Sequence, residues 1–285
     1  MSALLTRLHE ADAAVHGSIT PALPAIARAA EALAARLSAG GRVLYVGAGT
    51  SGRLAALDAA ELPPTFGTDP SRVKALMAGG PKALLVAVEG AEDDEAAAAA
   101  DLSSEALSPG DAVVGIAASG RTPYVLAAVR EARRLGAFTV GLATTPETPL
   151  LAETDIGILA DVGPEVLTGS TRLKAGTATK MILNLLSTAV MDELGLLVEV
   201  PGENRWEMAA MRPTNAKLRL RAARIVKELV AVPGPRAGEL LESAGWELPV
   251  ALAMGRFDES AEAARARLAR AHGNVREAIF GKGTP

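Results

Sequence analysis

Short apolar runs alternate with helix-like segments between residues 41 and 160, and this alternation limits the folds open to the chain more than any other feature. The run "RVLYVG" passes directly into the turn "AGTSGR" and then into the helical "LAALDAAEL". Strand and helix patterns then continue through "VKALMAG", "ALLVAVEG", "DDEAAAAADLS", "DAVVGIAASG", "PYVLAAVREARRLG", "AFTVGLAT" and "DIGILADV". Strands that alternate with helices require parallel crossovers, and near-continuous apolar strands are typical of a sheet covered on both faces. We therefore predict an α/β fold, a three-layer α/β/α sandwich with a mainly parallel sheet.

The strand signal fades after residue 170. A long apolar helix is predicted through about residue 195, and "RPTNAKLRLRAARIVKELV" follows as a basic helix. From residue 233 onward, short helical patterns are each closed by a glycine: "PRAGELLESAG", "ELPVALAMG", "DESAEAARARLARAHG" and "NVREAIFG". This organisation predicts a main α/β domain over residues 1–225 and a small C-terminal helical module over residues 226–285.

Composition excludes several classes of function. A formal net charge of -4 offers no broad basic face, which argues against a nucleic-acid partner. The absence of cysteine excludes disulfides, thiolate metal ligands and thiol nucleophiles, and it suits a reducing compartment. The histidines His9, His16 and His272 are too scattered to predict a zinc site. Since no segment reaches the roughly 18 uninterrupted apolar residues of a membrane span, we predict a cytoplasmic protein without metal or membrane partner.

Two similar turns, "TSGR" and "ASGR", each follow a predicted strand. In an open parallel sheet, ligands bind outside the carboxyl ends of the strands, where a turn leading into a helix offers unpaired backbone N–H groups. The hydroxyls of Thr50, Ser51, Ser119 and Thr122 suit a terminal phosphate. A sugar phosphate fits better than NAD, because the strand after "GAGTSG" ends on glycines where an acidic ribose ligand is expected. The alternative is that these hydroxyls only cap helices.

Two glutamates are candidates for acid and base chemistry. Glu61 lies between alanines and the pair Pro63 and Pro64, which we expect to end the helix. Glu92, in "VEGAEDDE", follows a predicted strand end and is expected to open the next helix. If both face the site, apolar neighbours would raise the pKa of one carboxyl and leave the other ionised. The alternatives are a solvated helix-end residue for Glu61 and a helix-dipole acid for Glu92.

Longer stretches of the sequence resemble the N-acetylmuramic acid 6-phosphate etherase family. The similar segments are "LYVGAGTSGRLAALDAAELPPTFG", "AVEGAED", "GIAASGRTPYVLAAVREARRLG" and "GPEVLTGSTRLKAGTATKMILNLLSTAVM", and the resemblance covers roughly residues 20–230. It implies a SIS (sugar isomerase) domain that binds a small-molecule phosphosugar as a homodimer, followed by a small UBA-like helical module. No metal or redox cofactor is implied.

The resemblance also implies an activity: a lyase that cleaves the D-lactyl ether of N-acetylmuramic acid 6-phosphate to N-acetylglucosamine 6-phosphate and D-lactate during cell-wall recycling. Glu61 and Glu92 match the family's catalytic glutamates. We assign Glu61 as the acid that protonates lactate and later activates water, and Glu92 as the base that takes the C2 proton. The residues expected to bind substrate are Gly49, Thr50, Ser51, Ser119, Gly120, Arg121, Thr122, Glu165, Ser170 and Lys174.

The sequence departs from the family's pattern in three places: an N-terminal stretch that family members usually carry has no counterpart, "RWEMAAM" precedes "PTNAKL", and Leu62 replaces a cysteine. The first two bear on dimer contacts and substrate closure, whereas a cysteine at position 62 would behave largely as a small apolar residue. The alternative function is a non-catalytic phosphosugar sensor similar to glucokinase regulatory proteins, with the helical module as its partner surface. An aldose–ketose isomerase is a third, but "ELPPTFG" and "VEGAED" are not its signature.

Overall fold

The computed structural model of the protein describes residues 2–200 and 202–281. By its internal contacts the chain divides into two compact units. Unit 1 runs through Ala60 and from Pro70 to Val190, and unit 2 is formed by Glu61–Asp69 and the chain from Met191 onward. The predicted boundary between domains at residue 225 stays a prediction.

Unit 1 is organised around a parallel sheet. Its strands are β1 (Val43–Gly47), β2 (Val73–Met77), β3 (Ala112–Ile116), β4 (Phe138–Ala143) and β5 (Ile156–Leu159). All neighbouring strands pair in parallel, in the order β2-β1-β3-β4-β5. This is the order of a doubly wound sheet whose winding reverses between β1 and β3. The predicted α/β fold with a mainly parallel sheet is confirmed.

Helices cover both faces of this sheet. The helices of this part of the chain are α1 (Ala3–Ala13), which has no buried residue, α2 (Val15–Ile19), α3 (Leu23–Ser38), α4 (Gly49–Phe66), α5 (Glu95–Ser104), α6 (Pro123–Arg134), α7 (Pro149–Glu153) and α8 (Lys174–Glu193). The last residues of α4 and α8 belong to unit 2. Leu44 and Val46 of β1 share a buried core with α5 and α6. Tyr45, between them, points to the opposite face, where its hydroxyl donates to Asp58 of α4 (3.3 Å). Alternation along one strand therefore places helices on either side.

The start and the face of α6 follow from its sequence. Pro123 occupies the first helical position, where its missing N–H costs nothing. Tyr124 and Val125 lie on a face that is buried against the sheet. Arg133 and Arg134 lie in the last turn, where positive charge complements the helix dipole.

Unit 2 is mainly helical. Its helices are α9 (Ala216–Val230), α10 (Gly234–Ser243), α11 (Leu248–Phe257), α12 (Ala261–Arg270) and α13 (Val275–Phe280), and a short antiparallel ribbon joins β6 (Val198–Glu199) to β7 (Trp206–Glu207). The carboxylate of Glu207 is buried and accepts hydrogen bonds from both terminal nitrogens of Arg224 in α9 (2.9 Å each). The divergent segment "RWEMAAM" thus supplies β7 and its ion pair, which the sequence did not predict.

Two sequence expectations about strands and helix ends are wrong. "ALLVAVEG" forms no strand: Pro81–Leu84 is a single 3-10 turn, and residues 84–86 and 88 are exposed apolar side chains. Gly79 and Gly80, both at positive φ, turn the chain after β2, so the segment leaves the extended conformation that a strand requires. The helix α11 likewise passes through Gly255 and ends at Phe257.

The ends of the elements that carry the candidate glutamates also differ from expectation. Pro63 and Pro64 do not stop α4, which continues to Phe66 because the N–H of Gly67 donates to the carbonyl of Pro63 (3.0 Å) and closes the final turn. Glu92 does not open α5. It lies in the 3-10 turn Ala91–Asp93, and the side chain of Asp94 caps α5 by accepting from the N–H of Ala97 (2.9 Å).

Candidate functional site

A cavity of about 350 Å³ opens in unit 1 where β1 and β3 end. Its lining comes from residues 48–51 after β1, from Ala118, Ser119 and residues 121–123 after β3, and from Glu92, Asp93 and Thr171. Since the winding of the sheet reverses between these strands, the helices that follow them leave a crevice at this edge. The structure therefore brings both SGR turns to one cavity, as expected from their position after neighbouring strands.

The first turn carries Gly49, Thr50 and Ser51, which form the beginning of α4 and line the cavity. The first N–H groups of an α-helix have no partner within the helix, and the helix dipole makes this end electropositive. Two hydroxyls and these backbone donors therefore lie together at the cavity. This combination suits a dianionic group such as a phosphate.

The second turn has the same chemistry. Thr122 is the N-cap residue of α6, yet its side chain makes no capping hydrogen bond, so capping does not explain this hydroxyl. The hydroxyl oxygen of Ser119 accepts from the N–H of Arg121 (3.2 Å), and the guanidinium of Arg121 donates to the carbonyl of Glu147 (3.0 Å). Gly120 is packed so closely that a Cβ atom there would lie 2.2 Å from Thr148 Oγ1. The conformation of the turn is thus fixed by its own hydrogen bond and by its contacts with Glu147 and Thr148.

Glu92 is the acidic side chain at the cavity that the sequence singled out. It also lines an adjoining cavity of about 280 Å³, which shares Ala48 and Gly49 with the first and contains Glu89. Within the described chain, the carboxylate of Glu92 has no hydrogen-bond or ion-pair partner. An unpaired carboxylate that lines a cavity can accept a proton from a ligand bound there.

Glu61 lies on α4 and belongs to unit 2, whereas Glu92 and the cavity belong to unit 1. Both glutamate side chains are exposed, so neither is enclosed by the apolar neighbours expected from the sequence. The catalytic assignments of Glu61 and Glu92 stay predictions.

The segment before α8 differs in detail from expectation. The carboxylate of Glu165 accepts from the N–H of Ala175 (3.0 Å) and thereby caps α8. Among the described residues, Thr171 is the member of this segment that lines the cavity, whereas Glu165, Ser170 and Lys174 do not. The beginning of α8 nevertheless lies near the first turn, because a Cβ atom on Gly176 would be 3.4 Å from Thr50 Cγ2.

A larger cavity, about 560 Å³, lies within unit 2 and contains none of the predicted site residues. Side chains such as Phe66, Met211, Trp246 and Leu248 make its lining largely apolar. The first residues of α11 line it, but Pro249 there has no N–H to donate and the carboxylate of Glu247 would repel an anion. It also lacks the two hydroxyl-bearing SGR turns. The smaller cavity of unit 1 is therefore the candidate site.

No group of three or more histidine, aspartate or glutamate side chains within residues 2–200 and 202–281 is arranged to hold a metal ion. In the same part of the chain, no helix is both long enough and apolar enough to cross a membrane.

Comparisons with known proteins place the chain among phosphosugar enzymes. Residues 25–133 match the glucokinase regulatory protein N-terminal SIS domain, and residues 91–189 match the SIS domain. A protein of Erwinia tasmaniensis named N-acetylmuramic acid 6-phosphate etherase is 46% identical over 278 residues, which cover 98% of this chain and 89% of that protein. The chain belongs to the N-acetylmuramic acid 6-phosphate etherase family.

Further relatives agree with this assignment. A protein of Pectobacterium atrosepticum, also named N-acetylmuramic acid 6-phosphate etherase, is 47% identical over 273 residues, which cover 96% of this chain and 88% of that protein. The solved structure of a phosphoheptose isomerase from Francisella tularensis is 22% identical, with a TM-score of 0.52 over 67% of this chain and 100% of that chain. This second likeness shows the shared fold.

In this member of the etherase family, the sequence did not predict a buried polar network beneath α4. Asp58 accepts from the hydroxyls of Tyr45 (3.3 Å) and Ser187 (3.2 Å), and its Oδ1 lies 3.9 Å from Nζ of Lys180. Burial raises the pKa of Asp58, and Lys180, Ser187 and Tyr45 oppose that rise. Asp58 precedes Glu61 by three residues, so the network holds the helix that carries the candidate acid. A charged residue among alanines is the signal that could have revealed it.

Proposed function

We propose that this chain is a lyase that cleaves the D-lactyl ether of N-acetylmuramic acid 6-phosphate, giving N-acetylglucosamine 6-phosphate and D-lactate. One observation carries the proposal: in a member of the etherase family, both SGR turns and Glu92 line a single cavity. The cavity supplies a phosphate site and a free carboxylate, and the family supplies the substrate.

In the proposed complex, the 6-phosphate lies between the first turns of α4 and α6. Ser51, Ser119 and Thr122 donate hydroxyl hydrogen bonds to its oxygens, and the N–H groups at both helix beginnings add further donors. Neutral donors together with helix dipoles stabilise a dianion in the same way as in other phosphate sites. The phosphate thereby fixes one end of the sugar.

The chemistry takes place at C2 and C3 of the open-chain sugar. The C1 aldehyde acidifies the C2 proton, and the lactyl oxygen is attached to C3, so elimination is possible. Glu92 removes the C2 proton, and the electron pair of the C2–H bond passes into an enolate of the C1 aldehyde. The enolate then collapses to form the C2–C3 double bond as the C3–O bond breaks and Glu61 protonates lactate. Glu61 then activates a water that adds to C3, and C2 regains a proton. Each proton transfer contributes about 10²- to 10⁴-fold in rate.

The proposal is tested by incubating the purified protein with N-acetylmuramic acid 6-phosphate and following the products by mass spectrometry. We expect D-lactate and N-acetylglucosamine 6-phosphate in equal amounts. In water enriched in oxygen-18, the label should enter the sugar product and not lactate, because the C3–O bond is the one that breaks. Label in lactate would exclude the elimination route.

A non-catalytic phosphosugar regulator is the second candidate, and the match of residues 25–133 to the glucokinase regulatory protein SIS domain favours it. One experiment distinguishes the regulator from the etherase. If N-acetylglucosamine 6-phosphate raises the melting temperature but no lactate appears from the ether substrate, the regulator is supported and the etherase is rejected.

We also propose that the protein acts as a homodimer in the cytoplasm and takes part in cell-wall recycling. An exposed apolar run in unit 1 supports the dimer: Leu84, Leu85, Val86 and Val88 are all exposed, and Leu85 is 91% exposed. Contiguous exposed apolar side chains are typical of association surfaces. Light scattering should give twice the chain mass of 29.1 kDa, and a mass of one chain at micromolar concentration would contradict the proposal.

A further inference from the structure

Arg53 is the arginine of the first SGR turn and lies in α4, two positions after Ser51. Its Nε donates to the carbonyl of Leu84 (3.1 Å), and its Nη2 donates to the carbonyl of Ala83 (2.8 Å). The planar guanidinium suits two neighbouring acceptors, because its donors lie in a rigid fork. Arg53 therefore clamps the backbone of the segment that follows β2.

We call residues 79–93 the glutamate loop, because they lead from β2 to Glu92. The loop folds closely around Gly79, where a Cβ atom would lie 2.9 Å from Cβ of Val88 and 3.2 Å from Cβ of Ala91. Its backbone hydrogen bonds are local, for example from the N–H of Asp93 to the carbonyl of Gly90 (3.1 Å). The conformation of the loop is stabilised by its own hydrogen bonds, and the hydrogen bonds of Arg53 fix the position of the loop relative to α4.

Apolar packing within one chain holds residues 84–86 of the glutamate loop only weakly. Within one chain the side chains of Leu84, Leu85 and Val86 are exposed, so this stretch gains little from burial, whereas the adjoining Ala83 is buried. Segments with few buried apolar contacts open at low free-energy cost. The two guanidinium hydrogen bonds, to the carbonyls of Ala83 and Leu84, accordingly restrain the start of this weakly packed stretch.

We infer that Arg53 is a positioning residue for Glu92, an inference that rests on the proposed function. The first turn of α4 binds the phosphate in the proposed complex. Arg53, which directly follows that turn in the same helix, binds the loop that carries the base. Phosphate and C2 lie at opposite parts of one sugar, so the reaction requires a set separation between the phosphate site and the carboxylate. A misplacement of about 1 Å can cost on the order of 100-fold in rate.

The second SGR turn uses its arginine in the same way. Nη2 of Arg121 donates to the carbonyl of Glu147, in the loop that follows β4 (3.0 Å). In both turns the serine lines the cavity and the arginine reaches a backbone carbonyl of the loop after a neighbouring strand. Arg121 also lines the cavity, whereas Arg53 does not, so Arg53 is the arginine whose observed contacts are with a loop alone.

The test compares Arg53→Gln and Arg53→Lys with a matched control. Arg72 makes an equivalent clamp before β2, with Nε donating to the carbonyl of Gly41 (3.0 Å) and Nη2 to that of Leu37. Arg72→Gln removes such a clamp without touching the glutamate loop. We expect Arg53→Gln to lower kcat for lactate release by about 10- to 100-fold. Arg53→Lys should recover only part of this loss, because an ammonium lacks the fork, and Arg72→Gln should leave kcat of the folded protein unchanged.

Two further measurements distinguish positioning from other roles. Binding of N-acetylglucosamine 6-phosphate should change little in Arg53→Gln, and hydrogen exchange in residues 79–93 should rise in that variant but not in Arg72→Gln. Weaker product binding with unchanged kcat would make Arg53 a phosphate ligand and overturn the inference. Equal exchange in both variants would overturn it as well. If the wild type releases no lactate, the proposed function fails, and hydrogen exchange still decides whether Arg53 clamps the loop.

Discussion

Glu61→Gln is expected to lower D-lactate release by at least about 10²- to 10⁴-fold, because an amide cannot donate the proton that the departing lactate requires. The substitution keeps the shape of the side chain, and Glu61 is exposed on a regular helix, so the fold should be unaffected. The measurement is kcat from lactate formation, with binding of N-acetylglucosamine 6-phosphate followed by thermal shift. We expect the binding to be retained.

Glu31→Gln is the matched control, because Glu31 is an exposed glutamate on another helix, α3. It should keep full activity. Deuterium uptake at C2 of the substrate separates the two proposed roles. In heavy water, Glu61→Gln should still exchange the C2 proton, whereas Glu92→Gln should not. The opposite pattern would reverse the acid and base assignments, and unchanged lactate release in Glu61→Gln would remove Glu61 from the mechanism.

The second large effect concerns stability. Asp111→Ala should lower the free energy of unfolding by about 2–3 kcal/mol, because it removes a buried acceptor and leaves Arg42 only its longer contacts to Glu105 (3.6 Å) and Ala106 (3.3 Å). Asp111 is 3% exposed. Its carboxylate accepts from the N–H (2.8 Å), Nε (3.2 Å) and Nη2 (2.8 Å) of Arg42, and from the N–H and hydroxyl of Ser108 (2.9 Å each). These bonds join the residues that precede β1 and β3, at the edge opposite the cavity.

The same residue gives the protein a pH dependence of stability. Burial alone would raise the pKa of Asp111, but the hydrogen bonds from Arg42 and Ser108 outweigh burial and hold the pKa at about 2, below the usual 3.8. A carboxyl whose pKa is lower in the folded state stabilises that state above pH 3.8, and the stabilisation is lost as the pH falls towards about 2. Its size is about 2 kcal/mol.

Urea unfolding between pH 3 and 7 measures both the stability lost in Asp111→Ala and the pH dependence of the free energy of unfolding. The wild type should lose stability towards the acid end more steeply than Asp111→Ala, which lacks the group. Asp12→Ala is the control, because Asp12 is exposed on α1 and should change the free energy of unfolding by no more than about 0.5 kcal/mol. Parallel pH curves for wild type and Asp111→Ala would contradict the assignment of this dependence to Asp111.

Several features of the fold and the site follow from local sequence. The apolar run of β1, the glycine-rich turn and the helix pattern of α4 are adjacent in the chain, so periodicity and turn residues are enough to predict them. The two SGR turns could be expected at one edge because the carboxyl ends of parallel strands share that edge. Both turns indeed line one cavity.

Local patterns were misleading where the outcome depended on distant partners. "ALLVAVEG" has strand-like composition, but glycines at positive φ turn the chain after β2, and the loop folds around Gly79 instead. Pro63 and Pro64 have the local signature of a helix end, yet one further hydrogen bond from Gly67 extends α4. Sequence also could not choose between Thr171, which lines the cavity, and Glu165, which caps α8.

The sequence by itself determined the alternation of the five parallel strands with helices, the chemistry of the two turns and the membership of the family, because these reside in neighbouring residues and their spacing. Only the tertiary structure decided which distant groups meet. Ser187 reaches Asp58 across 129 residues, Arg42 reaches Asp111 across 69, and Arg53 reaches Leu84 across 31. Such contacts depend on how the crossovers pack the helices onto the sheet, and no local pattern of side chains records that packing.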